Sequence, residues 1–267
     1  MARYQEEALA IARFIGKKST IAIQLYNLAL AHASQGDEVA AQERYEQCLC
    51  IFRELGDNYG VGLCLGALGN TAHELGEDSQ AAALLEEALT TMRAGGNKRQ
   101  MIEVLVRFCR VRLAQGARIE AQLMAEEART LSEEMGDRHH LMGAYVQLGR
   151  VAWIQEAYTQ AHTYYLTSLR LAQELGERQH FCEVLAALSG LALAHQGTLA
   201  ASVRRAAVVQ AGLVQLQAGI SRQNREILEA TLQRARTELD DATFATALAE
   251  GQAMTLEEAV AEALEKN

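Results

Sequence analysis

Apolar residues along the chain fall at helical spacing in short runs, and glycines separate the runs. Ile21, Leu25, Leu28 and Ala29 lie on one stripe, as do Ala81, Leu84, Leu85, Ala88, Leu89 and Met92. Gly16, Gly56, Gly96, Gly136 and Gly176 stand 40 residues apart. A second series, Gly36, Gly76 and Gly116, keeps the same step, with Glu156 in the next slot and Gly197 one residue late. Ala41, Ala81, Ala121, Ala161 and Ala201 share the period. So do Leu28, Leu68, Phe108, Leu148 and Leu188, and Leu25, Leu65, Leu105, Tyr145 and Leu185. Several independent columns in one register define an internal repeat.

Each glycine suits the position just past a helix, where the chain turns left-handed, and Asp37, Asp57, Asn97 and Asp137 follow as N-cap candidates. The unit is helix, tight turn, helix, tight turn, with each helix about 16 to 18 residues and roughly 25 Å long at 1.5 Å per residue. The alanine column lets the second helix lie close against the first, and a larger residue there forces the pair apart. The chain has no proline, where average usage of about 5% gives roughly 13. Its connections are therefore made by Gly, Asp, Asn and Ser, which suits short turns.

The columns divide the chain into residues 1–18, a lone second helix or N-terminal cap, residues 19–218, five hairpins of about 40 residues, and residues 219–267, atypical capping helices. Tyr4 to Ile15 aligns with a second helix, so the chain starts in mid-hairpin and reads as a piece of a longer protein, or as an array capped by one helix. Past Ala201 the ruler stops, and 221–239, 241–250 and 255–266 read as further helices.

The spacing of Leu68-Gly69, Gly76, Ala81, Leu85 and Ala88 resembles the tetratricopeptide repeat. The period is 40 rather than 34, and the family's usual proline after the second helix is missing. The resemblance implies an all-α, right-handed superhelical solenoid of helical hairpins. Forty-residue variants are similar to the C-terminal sensor arms of bacterial signal-transduction ATPases with numerous domains, among them those resembling the maltose regulator and LuxR-type regulators. The stretches Arg204-Arg205-Ala206-Ala207, Leu239 to Phe244 and Gly251 to Ala259 look like the closing segment of such arrays. The resemblance implies a recognition module, not an enzyme, with its ATPase and output domains outside this sequence. A self-standing adaptor or oligomerisation module is the alternative, followed by a peptide-pheromone receptor.

Charge and chemistry narrow this reading. A net charge of −9 argues against a nucleic-acid or anionic-membrane binder, since phosphate contact needs a basic face. No phosphate-cradling GxxxxGK[ST], GxSxG, HExxH or zinc-type Cys/His spacing occurs, so no cofactor or metal is expected. The five cysteines form no CxxC pair, and Cys48 and Cys50 are expected to be small buried residues in a reducing compartment. With no charged-then-apolar leader and no uncharged apolar run of 18 residues, a cytoplasmic location is expected. His140 and His180 occupy equivalent positions, with His139 beside them and Asp137 and Glu177 nearby. They read as solvated turn residues, and a metal is the lesser alternative. The pairs Glu86-Glu87, Glu126-Glu127 and Glu133-Glu134 read as the wet outer face of second helices.

In such a stack the first helix of each unit lines the concave side, and its inward positions are the candidate partner site. They are Ile23, Tyr26, Asn27 and Leu30 in the first unit, Leu63, Gly66, Asn70 and His73 in the second, and Glu103, Val106, Arg107 and Arg110 in the third. The fourth gives Gly143, Gln147, Arg150 and Trp153, and the fifth Glu183, Ala187 and Gly190, with the polar and aromatic ones as the strongest candidates. Asn70, Arg110 and Arg150 share one column. There an amide suits a peptide backbone group and a guanidinium suits a carboxylate. Trp153, the single tryptophan, is the candidate aromatic anchor. The expected partner is a protein or peptide, or a small effector, and self-association stays open.

Overall fold

A computed structural model describes residues 2–194, 198–216 and 218–265, and the side chains of residues 2 and 3 are outside the description. Among the described residues the chain is all-α, with fourteen helices and no strand. It divides into two compact units, Met1–Met135 and Gly136–Asn267.

The first unit holds α1 (Ala2–Ile15) and three hairpins: α2 (Lys18–Ser34) with α3 (Glu38–Leu55), α4 (Asn58–Glu74) with α5 (Asp78–Ala94), and α6 (Lys98–Ala114) with α7 (Arg118–Met135). The second unit holds two hairpins, α8 (Arg138–Ile154) with α9 (Tyr158–Leu175) and α10 (Arg178–Ala194) with α11 (Leu199–Leu216). It continues with α12 (Arg222–Glu238), α13 (Asp241–Ala253) and α14 (Leu256–Glu265).

The turns form as the glycine series predicts. At the end of α2 the Gly36 N–H donates to the Ala33 carbonyl at 3.0 Å and the Asp37 N–H to the His32 carbonyl at 3.1 Å, which closes the helix while Gly36 sits at φ 79°. Asp37, Asp57 and Asp137 then accept a backbone N–H three residues on, capping α3, α4 and α8. Asn97 precedes α6 without a side-chain cap bond. Glu156 fills the slot that glycine holds elsewhere and still takes φ 61°. Gly197 lies outside the described residues.

The core follows the columns. Ala41, Ala81, Ala121 and Ala161 are fully buried. Ala201, expected in the same column, is only half-buried, and Ser202 takes the buried place. The register of α11 has slipped by one residue, as the late Gly197 implies. Large residues on second helices are met by glycines on first helices. A Cβ at residue 69 would lie 2.6 Å from Leu85 Cγ, and one at residue 149 would lie 2.5 Å from Tyr165 Cε1. Each glycine therefore provides the close approach its partner side chain needs.

Candidate functional site

In the first unit, α2, α4 and α6 carry the predicted columns. Tyr26 and Asn27 are half-buried on α2, and the Tyr26 ring centroid lies 5.4 Å from that of Tyr45. Burial pushes the Tyr26 phenol up, while the nearby Arg107 guanidinium pulls it down. Arg107 is half-exposed on α6, 3.4 Å from Glu103. Ile23 and Leu30 are more open, at 50% and 53% exposure. These positions, seven residues apart on α2, form an apolar edge beside the tyrosine.

Arg110 has a different role from the one the column suggests. Its guanidinium donates to Asn70 Oδ1 at 3.1 Å and makes a close ion pair with Glu74. Both charged side chains of that pair are largely covered. The bond does join Asn70 and Arg110, forty residues apart, but the cation is already neutralised. His73 is a correction to the expected open surface. It is buried, with Nδ1 2.5 Å from Asp78 Oδ1, so it fastens the end of α4 to the start of α5. His32 and Asp37 make the same connection one repeat earlier at 3.5 Å.

In the second unit the predicted face is covered. Gln147 and Arg150 are buried, at 4% and 2% exposure, and this corrects the reading of Arg150 as an open clamp. Arg150 donates to Ser221 Oγ at 3.3 Å and to Gln147 Oε1 at 3.5 Å, and lies 3.7 Å from Glu183. Glu183 also accepts the Ser221 N–H at 2.8 Å and the Ser221 hydroxyl at 3.1 Å, and Asn224 Nδ2 donates to its carboxylate and, at 2.9 Å, to its backbone carbonyl. The start of α12 thus satisfies a carboxylate and a guanidinium that would be costly to bury alone. Trp153 is half-buried against this core. A Cβ at residue 190 would lie 2.6 Å from both Trp153 Cη2 and Ile227 Cγ2, so Gly190 is where the tryptophan and α12 close in.

The histidines are also corrected. His180 is mostly covered, with Nε2 2.7 Å from Ser168 Oγ. Ser168 commits its one proton to the Met142 carbonyl at 2.9 Å, so the imidazole must donate from Nε2. Burial, helped by His139 and Arg150, pushes its pKa down to about 3. His140 pairs with Asp137 at 2.9 Å and His139 with Glu177 at 3.7 Å. Among the described residues, no group of three or more His, Cys, Asp or Glu is placed to hold a metal ion. Cys50, expected to be buried, is exposed, whereas Cys48 is buried.

Glu74, Ser221 and Asn224 were not singled out in the sequence, whereas Glu183 was read as an inward position of the fifth unit. Glu74 lies 36 residues before Arg110, but that interval was no usable signal. The Lys18–Glu54 and Lys98–Glu134 pairs that share it join the two helices of one hairpin, base first, whereas Glu74 and Arg110 join the first helices of neighbouring hairpins. Ser221 and Asn224 carried none, since the ruler ends before them.

The tetratricopeptide repeat family model matches residues 19–94, within the first unit. No curated protein matches the chain. Among solved structures, a Rap protein complexed with Competence and Sporulation Factor is 13% identical, with a TM-score of 0.75, covering 98% of this chain and 71% of its own. The Rap conjugation gene regulator of plasmid pLS20, in complex with a peptide, is 15% identical, with a TM-score of 0.66 and coverage of 89% and 68%. A signal transduction ATPase with numerous domains from Pyrococcus horikoshii, which has a tetratricopeptide repeat sensor, is 15% identical, with a TM-score of 0.59 and coverage of 94% and 39%. At these identities the likeness is one of fold. No described helix is long and apolar enough to cross a membrane.

Proposed function

We propose that the chain is a non-catalytic recognition module that binds a protein or peptide on the first-helix face of its first unit, as the sensor or scaffold arm of a larger signalling ATPase. The observation that carries the reading is the make-up of that face. Ile23, Leu30, Tyr26 and Arg107 are at least partly open, while the Asn70–Arg110–Glu74 bonds tie α4 to α6 beside them. An apolar edge beside an aromatic ring and a guanidinium is the composition that peptide and protein contacts favour. The likeness to an ATPase with a repeat sensor supports the sensor-arm reading. A second reading, a receptor for a signalling peptide, draws support from the two Rap structures, one in complex with a peptide and the other complexed with Competence and Sporulation Factor.

The test is a comparison of proteins and peptides captured from native lysate by the wild type and by a Leu30→Asp/Arg107→Glu variant. A partner held by the wild type and lost from a variant with unchanged unfolding places binding on this face. Equal capture by both would sink the reading.

A further inference from the structure

Cys48 on α3 and Cys64 on α4 are fully buried, and their Sγ atoms lie 2.8 Å apart. The two thiols point at each other across the interface between the first and second hairpins. The 40-residue register shows what packing alone requires there. The residues equivalent to Cys48 and Cys64 are Ala88 and Val104 one repeat on, and Ser168 and Val184 three repeats on, all buried. A small side chain is sufficient at each position, and sulfur is not needed to fill the space. Of the other cysteines, Cys50 is exposed on α3, while Cys109 and Cys182 are buried on α6 and α10.

We propose that Cys48 and Cys64 form an oxidation site, at which a small peroxide converts the two thiols into an intramolecular disulfide joining α3 to α4. In the first step one sulfur, as thiolate, attacks a peroxide oxygen. The O–O bond breaks, water leaves and a sulfenic acid remains. In the second step the other sulfur attacks the sulfenic sulfur, the S–O bond breaks and a second water leaves. Two thiols give up two protons and two electrons, and hydrogen peroxide takes them to become two waters.

Hydrogen bonding to Cys48, then burial, raises the Cys64 thiol pKa and keeps it protonated. Oxidation is therefore slow at neutral pH and faster in mild alkali, and a peroxide is small enough to enter on local opening. The resulting bond closes a short loop around the Gly56 turn and restrains the unfolded chain. It also fixes α4, which carries Asn70, against α3.

The experiment exposes the whole chain to hydrogen peroxide in mild alkali, then counts thiols in denaturant and maps peptides without reduction. The expected result is a fall from five free thiols to three, with a Cys48–Cys64 cross-link that a reductant reverses. The melting temperature of the first unit should rise by about 5–10 °C. Cys48→Ala and Cys64→Val, which copy the residues found one repeat on, keep the fold and form no cross-link, while Cys50→Ser still forms it. Retention of all five thiols, or oxidation confined to Cys50 or reaching sulfinic acid without the Cys48–Cys64 bond, overturns the proposal.

Discussion

Arg178 Nε, in the first turn of α10, lies 2.7 Å from Glu257 Oε1, in the first turn of α14. In three earlier hairpins of the array the equivalent base pairs within its own hairpin, Lys18 with Glu54, Lys98 with Glu134 and Arg138 with Glu174, each 36 residues on. The same interval from Arg178 reaches Val214, which is 80% exposed. In the last hairpin, α14 therefore takes the place beside α10 that the end of a second helix holds elsewhere. The exposed ion pair marks the docking but supplies little of its energy. The apolar face of α14 supplies the rest, with Leu256, Ala259, Val260 and Ala263 all buried.

Leu256→Ala should therefore destabilise the second unit by about 2–4 kcal/mol in urea unfolding. Glu257→Gln should change it by less than about 1 kcal/mol. Equal effects from the two substitutions would show that the charge, not the apolar face, holds α14.

Glu156 holds φ 61° where the turn glycines sit, and a left-handed residue with a Cβ costs roughly 1–2 kcal/mol. Glu156→Gly removes that strain but loosens the unfolded chain, so the expected net gain is about 1 kcal/mol. Thermal unfolding of the variant beside the wild type reads it directly, and a lower melting temperature would count against the strain.

His180 should make the second unit acid-sensitive. Its folded pKa is pushed down to about 3, whereas the unfolded imidazole titrates near 6.5. Below pH ~6.5 the unfolded chain binds the extra proton and the folded one does not, so stability is full above that pH and falls as the pH drops toward 3. The steepest loss is about 1.4 kcal/mol per pH unit. His180→Gln, which keeps a donor for Ser168, should flatten this slope in a series of melts between pH 7 and 4. Identical slopes in both proteins would move the acid sensitivity elsewhere.

The turns and the alanine column were legible because each is a local demand repeated along the chain. Gly36 needs only its own φ, and Ala41 only the helix it touches. The slip of α11 was half legible, since Gly197 arrives one residue late, but that Ser202 rather than Ala201 becomes buried depends on how α11 seats against its neighbours. Among the site residues, the half-buried positions of Tyr26, Asn27, Asn70 and Arg107 follow from their columns. The fates of Arg110 and Arg150 do not, because burial and pairing depend on what arrives from other helices.

By itself, the sequence determined the all-α hairpin repeat, its 40-residue period and the face on which each first-helix residue starts, because helical periodicity and turn chemistry act within a few residues. Only the tertiary structure decided which of those faces stays open. Glu74 neutralises Arg110, and α12 brings Ser221 and Asn224 onto Glu183 and Arg150. Each of these pairings joins residues far apart in the chain. A buried charge takes whichever partner folding brings within reach, and neither column nor composition records that partner.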